Sequence, residues 1–319
     1  MIHTKMLAAT AMLALIAGAA QARELTFGMQ DNEVSNVFKG AQAFGEKLEE
    51  LSGGELTVNL FPSGTLGDFK AMVAQLQAGE LDMVITGYPD MSYVIPELKL
   101  VGAPYVVDDF VHLEEIVDGP WGLEMDAKFG EQGVEMLDLW YYGTRQTTAN
   151  KPIESIDDMK GLRMRTPNVP FLIAYAENVG ATPAPVAFQE VYLALQTNQV
   201  DAQENPLPTI DAMKFYEVQD HVAMTNHFVA SAAVLMSNGT WESLSEEEQG
   251  WVREAIEAGG EVSDEMTVKA EEDLIATFEE RGLTITRPDL APFREAMQPY
   301  YDELEAEFGE GAIAEVRGE

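Results

Sequence analysis

The sequence predicts an α/β protein of two domains, and three observations carry that prediction. Short apolar runs alternate with stretches of helical periodicity through residues 24–86, in the order strand, helix, strand, helix, strand. At these lengths that order marks an open, largely parallel sheet. A second alternation of the same kind starts near Thr144, and no internal repeat or low-complexity linker separates the two. The chain therefore crosses between domains through strands and a long helix. About 300 residues suffice for two cores.

The first strand covers 24–29 (ELTFGM). Val37, Ala41, Phe44, Leu48 and Leu51 then recur at helical spacing, and Gly53-Gly54 closes that helix. Leu56, Val58 and Leu60 alternate with Thr57 and Asn59 as a second strand. Asp68 can cap a helix over 69–78 that Gly79 ends, and 81–86 (LDMVIT) suits a buried strand. Ligands of such sheets sit at the carboxyl ends of strands. Here those are the loops holding Gln30, residues 62–69 and residues 87–91.

In the second pattern, Leu162 and Met164 alternate with Arg163 and Arg165, a strand that Pro167 ends. Asn168 is placed to cap a helix over 168–178. A short strand over 185–188, a helix over 190–197 and a brief strand at 200–202 follow. Asn205-Pro206-Leu207-Pro208 reads as a rigid turn before a helix near 210–216. Residues 221–229 and 232–237 read as two strands. Ser245 with Glu248 forms a capping box that opens a charged helical region to about Glu280, where Gly259-Gly260 marks a kink or break. A last helix spans 291–308.

Composition narrows the function. Lys5 followed by the apolar run 6–19 and by Ala20-Gln21-Ala22 has the pattern of a secretory signal peptide, cleaved after Ala22. No later segment is long and apolar enough to span a bilayer. With no cysteine, neither a disulfide nor a thiolate metal site can form. The 55 acidic residues against 19 Lys+Arg, a formal net charge of −36, disfavour nucleic acid and anionic membranes as partners. His112, His221 and His227 match no metal-ligand spacing, and no nucleophile elbow, phosphate-binding glycine loop or dinucleotide fingerprint occurs. No catalytic residue, metal or cofactor is therefore expected.

In a chain so poor in bases, two arginines within three residues need a reason. An arginine at a strand end, beside a helix N-terminus, offers a rigid fork of donors to a carboxylate. On spacing alone, both arginines read equally well as solvated charges on an edge strand.

The sequence resembles the solute-binding proteins of tripartite ATP-independent periplasmic (TRAP) transporters over essentially the whole chain beyond the signal peptide. The resemblance is carried by Gly143-Thr144-Arg145-Gln146-Thr147-Thr148, by residues 159–167 (MKGLRMRTP), by 188–198 (FQEVYLALQTN), by 200–206 (VDAQENP) and by 214–218 (KFYEV). One departure is Ala202, where the family usually has glycine. The resemblance implies a clamshell: two α/β domains closing on a ligand, with a long helix packed across both. On this reading one domain comprises 23–142 plus about 231–270, the other 143–230 plus about 271–319. It implies a periplasmic, monomeric binding protein, not an enzyme, that serves two integral-membrane permease subunits, small and large. The family's carboxylate-clamping arginine falls on Arg165, its second ligand arginine on Arg145, its ligand-side asparagine on Asn205 and its aromatic floor on Phe188. Arg163 falls where the family varies and is left as a surface charge.

The branch most similar to this chain binds sialic acid, and there the pocket departs. Gln30, Phe69 and Gly87, the last followed by Tyr88, stand where that branch has an asparagine and two acidic residues. Phe69 and Tyr88 would offer apolar surface to a flatter, less hydroxylated ligand. The expected ligand is a monocarboxylate with an apolar or aromatic body. A sugar acid or dicarboxylate is the alternative within the family, and an exported enzyme acting on an organic acid is the alternative outside it.

Overall fold

The computed structural model of the protein describes residues 22–318, so the signal peptide expected over 1–22 lies, but for Ala22, outside the described residues. The first half follows the predicted order: β1 (Arg23–Gly28), α1 (Asn36–Leu51), β2 (Leu56–Phe61), α2 (Phe69–Ala78) and β3 (Met83–Gly87). Local chemistry sets the ends. Ser35 accepts the Phe38 N–H to open α1, and Asp68 accepts the Ala71 N–H at 2.9 Å to open α2. Gly79, at φ 71°, supplies the left-handed residue that closes α2. Both β2 and β3 pair in parallel with β1.

Three helices not among the expected elements follow: α3 (Leu98–Gly102), α4 (Phe110–Asp118) and α5 (Pro120–Glu131). Then comes β4 (Val134–Ala149), 16 residues long. The second half holds β5 (Arg163–Thr166), α6 (Pro170–Asn178), β6 (Thr182–Pro185), α7 (Val191–Gln196), β7 (Ala202–Pro206) and α8 (Leu207–Ala212). The chain returns through β8 (His221–Ser237), α9 (Asn238–Ser243) and α10 (Glu246–Glu280). It ends with β9 (Thr284–Thr286), α11 (Ala291–Ala296), α12 (Gln298–Phe308) and α13 (Ala312–Arg317).

Among the described residues the strands form one sheet, ordered β2-β1-β3-β8-β4-β7-β5-β6, with β9 against β8. The sheet is more mixed than the sequence predicts. Its outer strands pair in parallel, but β8 is antiparallel to both β3 and β4, and β4 is antiparallel to β7. The two strands expected over 221–237 are this single strand, since Ala230 and Ser231 are small and stay in the ladder. β4 and β8 each run through both halves. Their register slips between Tyr141 and Gly143, where Gly143 adopts φ 110°. Carboxylates of α10 take up the donors freed there: Asp264 accepts the Tyr141 N–H at 2.7 Å and Glu271 the Thr144 N–H at 2.6 Å.

Other expectations are corrected. Asn168 does not cap α6, which begins at Pro170 with its φ preset, after Val169. Asn205 and Pro206 are not a turn but the end of β7, and α8 starts directly after them. The predicted last helix is two, meeting at Met297 just before Pro299. Ala202 sits in extended backbone, so its methyl costs nothing where the family favours glycine.

Gly259-Gly260 does not break α10, which the Ser245–Glu248 capping box opens as predicted. The glycines instead let α1 and α10 cross at close range. A Cβ on Gly40 would stand 2.6 Å from the Gly259 carbonyl oxygen, and one on Gly260 would stand 2.8 Å from Trp140 Nε1. Gly40→Ala is expected to lower stability by about 1–3 kcal/mol through overpacking, against the gain of up to about 1 kcal/mol that alanine brings an open helix. A melting temperature that rises in Gly40→Ala would contradict the close crossing.

Candidate functional site

A cavity of about 350 Å³ lies between the halves, walled by the loops after β1 and β3 and the start of α2 on one side. Strand ends of β5, β6 and β7 and the middle of β8 form the other side. The lips meet: Asn32 Nδ2 donates to the Ala212 carbonyl at 3.0 Å, and Gln189 packs against Gly64.

The two arginines of β5 part company. Arg163 is exposed and forms a two-pronged pair with Asp201, Nε to Oδ2 at 2.9 Å and Nη2 to Oδ1 at 2.6 Å. Arg165 is 2 % exposed and lines the cavity. Its Nε and Nη2 both donate to the Val186 carbonyl, at 3.0 and 2.8 Å, which fixes the plane of the guanidinium. Among the described residues no carboxylate lies within ion-pair range of it. Burial, reinforced by Arg145 and opposed by Glu204, pulls its pKa down to about 10.

Arg145, on β4, also reaches the cavity wall, with one edge of its guanidinium occupied. Nε and Nη2 bind the Glu204 carboxylate, and Nη2 also donates to the Glu204 carbonyl at 2.8 Å. Burial alone would favour the neutral acid, but Arg145 and His227 outweigh it and hold Glu204 at about pKa 2. His227, wholly buried, donates from Nε2 to Glu204 at 3.2 Å, while Thr225 Oγ1 lies 2.9 Å from Nδ1. Tyr175 stacks on the imidazole at 4.0 Å. Burial keeps His227 below the usual histidine range. The network fixes Arg145 at the cavity wall and matches its charge through Nε and Nη2.

Of the other expected site residues, Gln30, Phe69, Phe188 and Asn205 all line the cavity. Asn205 is oriented by a 2.6 Å bond from its Nδ2 to Gln203 Oε1. Phe69, 9 % exposed, shows the cavity one face while its ring packs edge-on against Tyr93 at 6.1 Å.

Tyr88 is a correction. It is fully buried away from the cavity and stacks on Phe129 at 5.8 Å. The chain tightens into a 3₁₀ turn over Tyr88–Tyr93 just after β3, which sends Tyr88 into the core and brings Asp90 to the cavity wall. Asp90 was not read from the sequence, nor was Asp31, which lines the same wall and accepts from Tyr142 Oη at 2.7 Å. In a chain with 55 acidic residues no carboxylate stands out by composition. The one available signal was position, one turn beyond a strand end.

Among the described residues no cluster of His, Asp and Glu is arranged to hold a metal ion, and no helix is long and apolar enough to cross a membrane.

Residues 27–307 match the family described as bacterial extracellular solute-binding protein, family 7, DctP. The chain is 42 % identical over 299 residues to the sialic acid-binding periplasmic protein SiaP of Vibrio cholerae, covering 92 % of each. Among solved structures it is similar to a TRAP periplasmic solute-binding protein of Polaromonas sp. JS666 bound to D-erythronate, with TM-score 0.87 and 29 % identity over 92 % of this chain and 98 % of that one. One from Roseobacter denitrificans with bound L-galactonate gives TM-score 0.84 and 31 % identity over 92 % and 97 %. A family match over most of the chain, the clamshell sheet and a cavity between its halves agree: the chain belongs to the DctP family of TRAP transporter solute-binding proteins, which bind solutes and are not enzymes.

Proposed function

We propose that this protein captures a small organic acid by pairing its carboxylate with Arg165 and presents the closed complex to small and large TRAP permease subunits. One observation carries the reading: Arg165 is a buried, rigidly held cation on the wall of a cavity, with no carboxylate of the described chain beside it. A buried cation is costly until it is paired. Charge-assisted bonds from an incoming carboxylate, each worth roughly 1.5–3 kcal/mol net, supply that partner.

The body of the ligand lies against Phe69, Leu172, Phe188 and Phe228, which line the same cavity. Those surfaces favour a monocarboxylate with an apolar or aromatic body, although Tyr88 no longer contributes. A sugar acid is the second reading, favoured by Gln30, Asp31 and Asp90 on the opposing wall. A thermal-shift screen of aromatic, aliphatic and polyhydroxylated acids separates the two. Melting raised by sialic acid or sugar acids alone would leave Arg165 in its role and remove the apolar reading. Turnover of a bound acid would instead point to an enzyme.

The protein acts as a periplasmic monomer after cleavage at Ala22, and its moving bodies are 23–142 with about 231–270 and 143–230 with about 271–319. The ligand touches both, so it favours the closed arrangement by its differential affinity. Small-angle scattering should show a smaller radius of gyration at saturating ligand. An unchanged profile would argue that the cleft is rigid.

A further inference from the structure

One carboxylate in the cavity is satisfied by nothing among the described residues. Asp90 lines the wall at half-burial. Among the described residues its side chain has neither a hydrogen-bond donor nor an ion-pair partner within contact range. Its position is built. A Cβ on Gly87 would stand 2.7 Å from Asp90 Cγ and 2.7 Å from Oδ2, so the carboxylate occupies the space that any larger residue at 87 would fill. Gly87 has φ −55°, which every residue can adopt, so backbone geometry does not ask for glycine there. The space for Asp90 does.

The charges around Asp90 show what it awaits. It senses Arg145 on β4, Glu204 on β7, Arg165 on β5 and Lys70 on α2. Arg145 and Glu204 neutralise each other through their two-pronged bond. Lys70 lies over the rings of Phe69 and Tyr93, 5.6 and 5.4 Å from their centroids. Among the described residues two groups then face the cavity unmatched: Arg165, which has the Val186 carbonyl but no counter-charge, and Asp90, which lacks a donor.

We infer that Asp90 is a specificity-determining ligand residue, accepting a hydrogen bond from a hydroxyl or ammonium group that the bound acid carries in addition to its carboxylate. This rests on the organic-acid reading of the cavity and narrows it. The ligand is a hydroxy acid or an amino acid, with its donor directed at the first domain and its carboxylate at the second. Burial pushes the Asp90 pKa up to about 7 against the pull of Arg145, as for a carboxylate with no donor beside it. A site that leaves a buried polar group unpaired discriminates strongly against the analogue that cannot pair it.

The test uses the full mature protein and a matched panel: hexanoate, its monohydroxy isomers and its monoamino isomers, titrated by calorimetry. At least one hydroxy or amino isomer is expected to bind the wild type tenfold or more tightly than hexanoate. Asp90→Ala, which removes the acceptor, should erase most of that ratio, and a general structural defect would not move the ratio. Gly87→Ala, which displaces the carboxylate without removing it, should erase the ratio as well. A hydroxy isomer preferred over its amino counterpart assigns the donor as hydroxyl, and the reverse assigns ammonium. Hexanoate binding as tightly as every substituted acid, or a ratio that survives Asp90→Ala, overturns the role of Asp90 and leaves the Arg165 clamp intact. No binding by any member of the panel overturns this inference, while the thermal-shift screen of the wider set of acids decides the organic-acid reading separately.

Discussion

Arg165→Lys is expected to weaken binding of the captured acid tenfold or more, about 1.4 kcal/mol, while Arg163→Lys leaves it nearly unchanged. The two residues lie on one strand, yet their surroundings differ in kind. Arg165 spends Nε and one bond of Nη2 on the Val186 carbonyl and still has N–H groups to direct at a ligand. A lysine ammonium cannot hold that carbonyl and offer a planar fork at the same time. Arg163 is exposed and already paired with Asp201. Exposed pairs contribute little, and this one does not face the cavity. Calorimetry on both variants decides the matter: comparable losses at the two positions would remove Arg165 from the centre of the site.

The larger effect on stability is expected at Glu204. Glu204→Ala should cost about 3–5 kcal/mol, because it leaves Arg145 buried without its counter-charge and His227 without its acceptor. Chemical denaturation of the ligand-free protein measures this, and a loss below about 1 kcal/mol would mean that water or a neighbour replaces the carboxylate. The same group sets an acid limit. Its pKa falls from an ordinary 4.5 to about 2 in the fold, so the unfolded chain takes up a proton first as the solution is acidified. The stabilisation is complete above about pH 4.5 and is lost as pH falls towards 2. Glu204→Gln should flatten that part of the pH–stability curve.

Local order was legible wherever it depends on neighbours in sequence. Asp68 and Gly79 delimit α2 because capping and left-handed closure are decided within a few residues. The Ser245–Glu248 box likewise starts α10 as expected. What escaped depends on distant partners. The glycine pair in α10 looked like a break, because the reason for it is Gly40 and Trp140, far away in the chain. β8 looked like two strands because its continuity comes from pairing with β3 and β4. In the site, the loops holding Gln30 and Phe69 and the strand end at Arg165 can be read from pattern, whereas Arg145, Asn205 and Phe188 were expected only from the family resemblance; all six line the cavity. Tyr88 and Asp90 exchanged roles because a single tight turn decides which of them faces inward, and periodicity does not resolve a turn of that length.

The placement of β8 has a consequence for how the protein is made. This strand lies in the middle of the sheet, hydrogen-bonded to β3 on one side and β4 on the other, yet it is encoded at residues 221–237. As the chain is delivered from its N-terminus, β3 and β4 appear long before the strand that must lie between them. Neither half can complete its core from the residues already synthesised, so folding domain by domain in order of synthesis is closed to this topology. Insertion of β8 joins contacts of large sequence separation, the kind that slow folding. Until then both flanking strands present unpaired edges, and the interval before insertion is when the nascent chain is most exposed to association with its own copies.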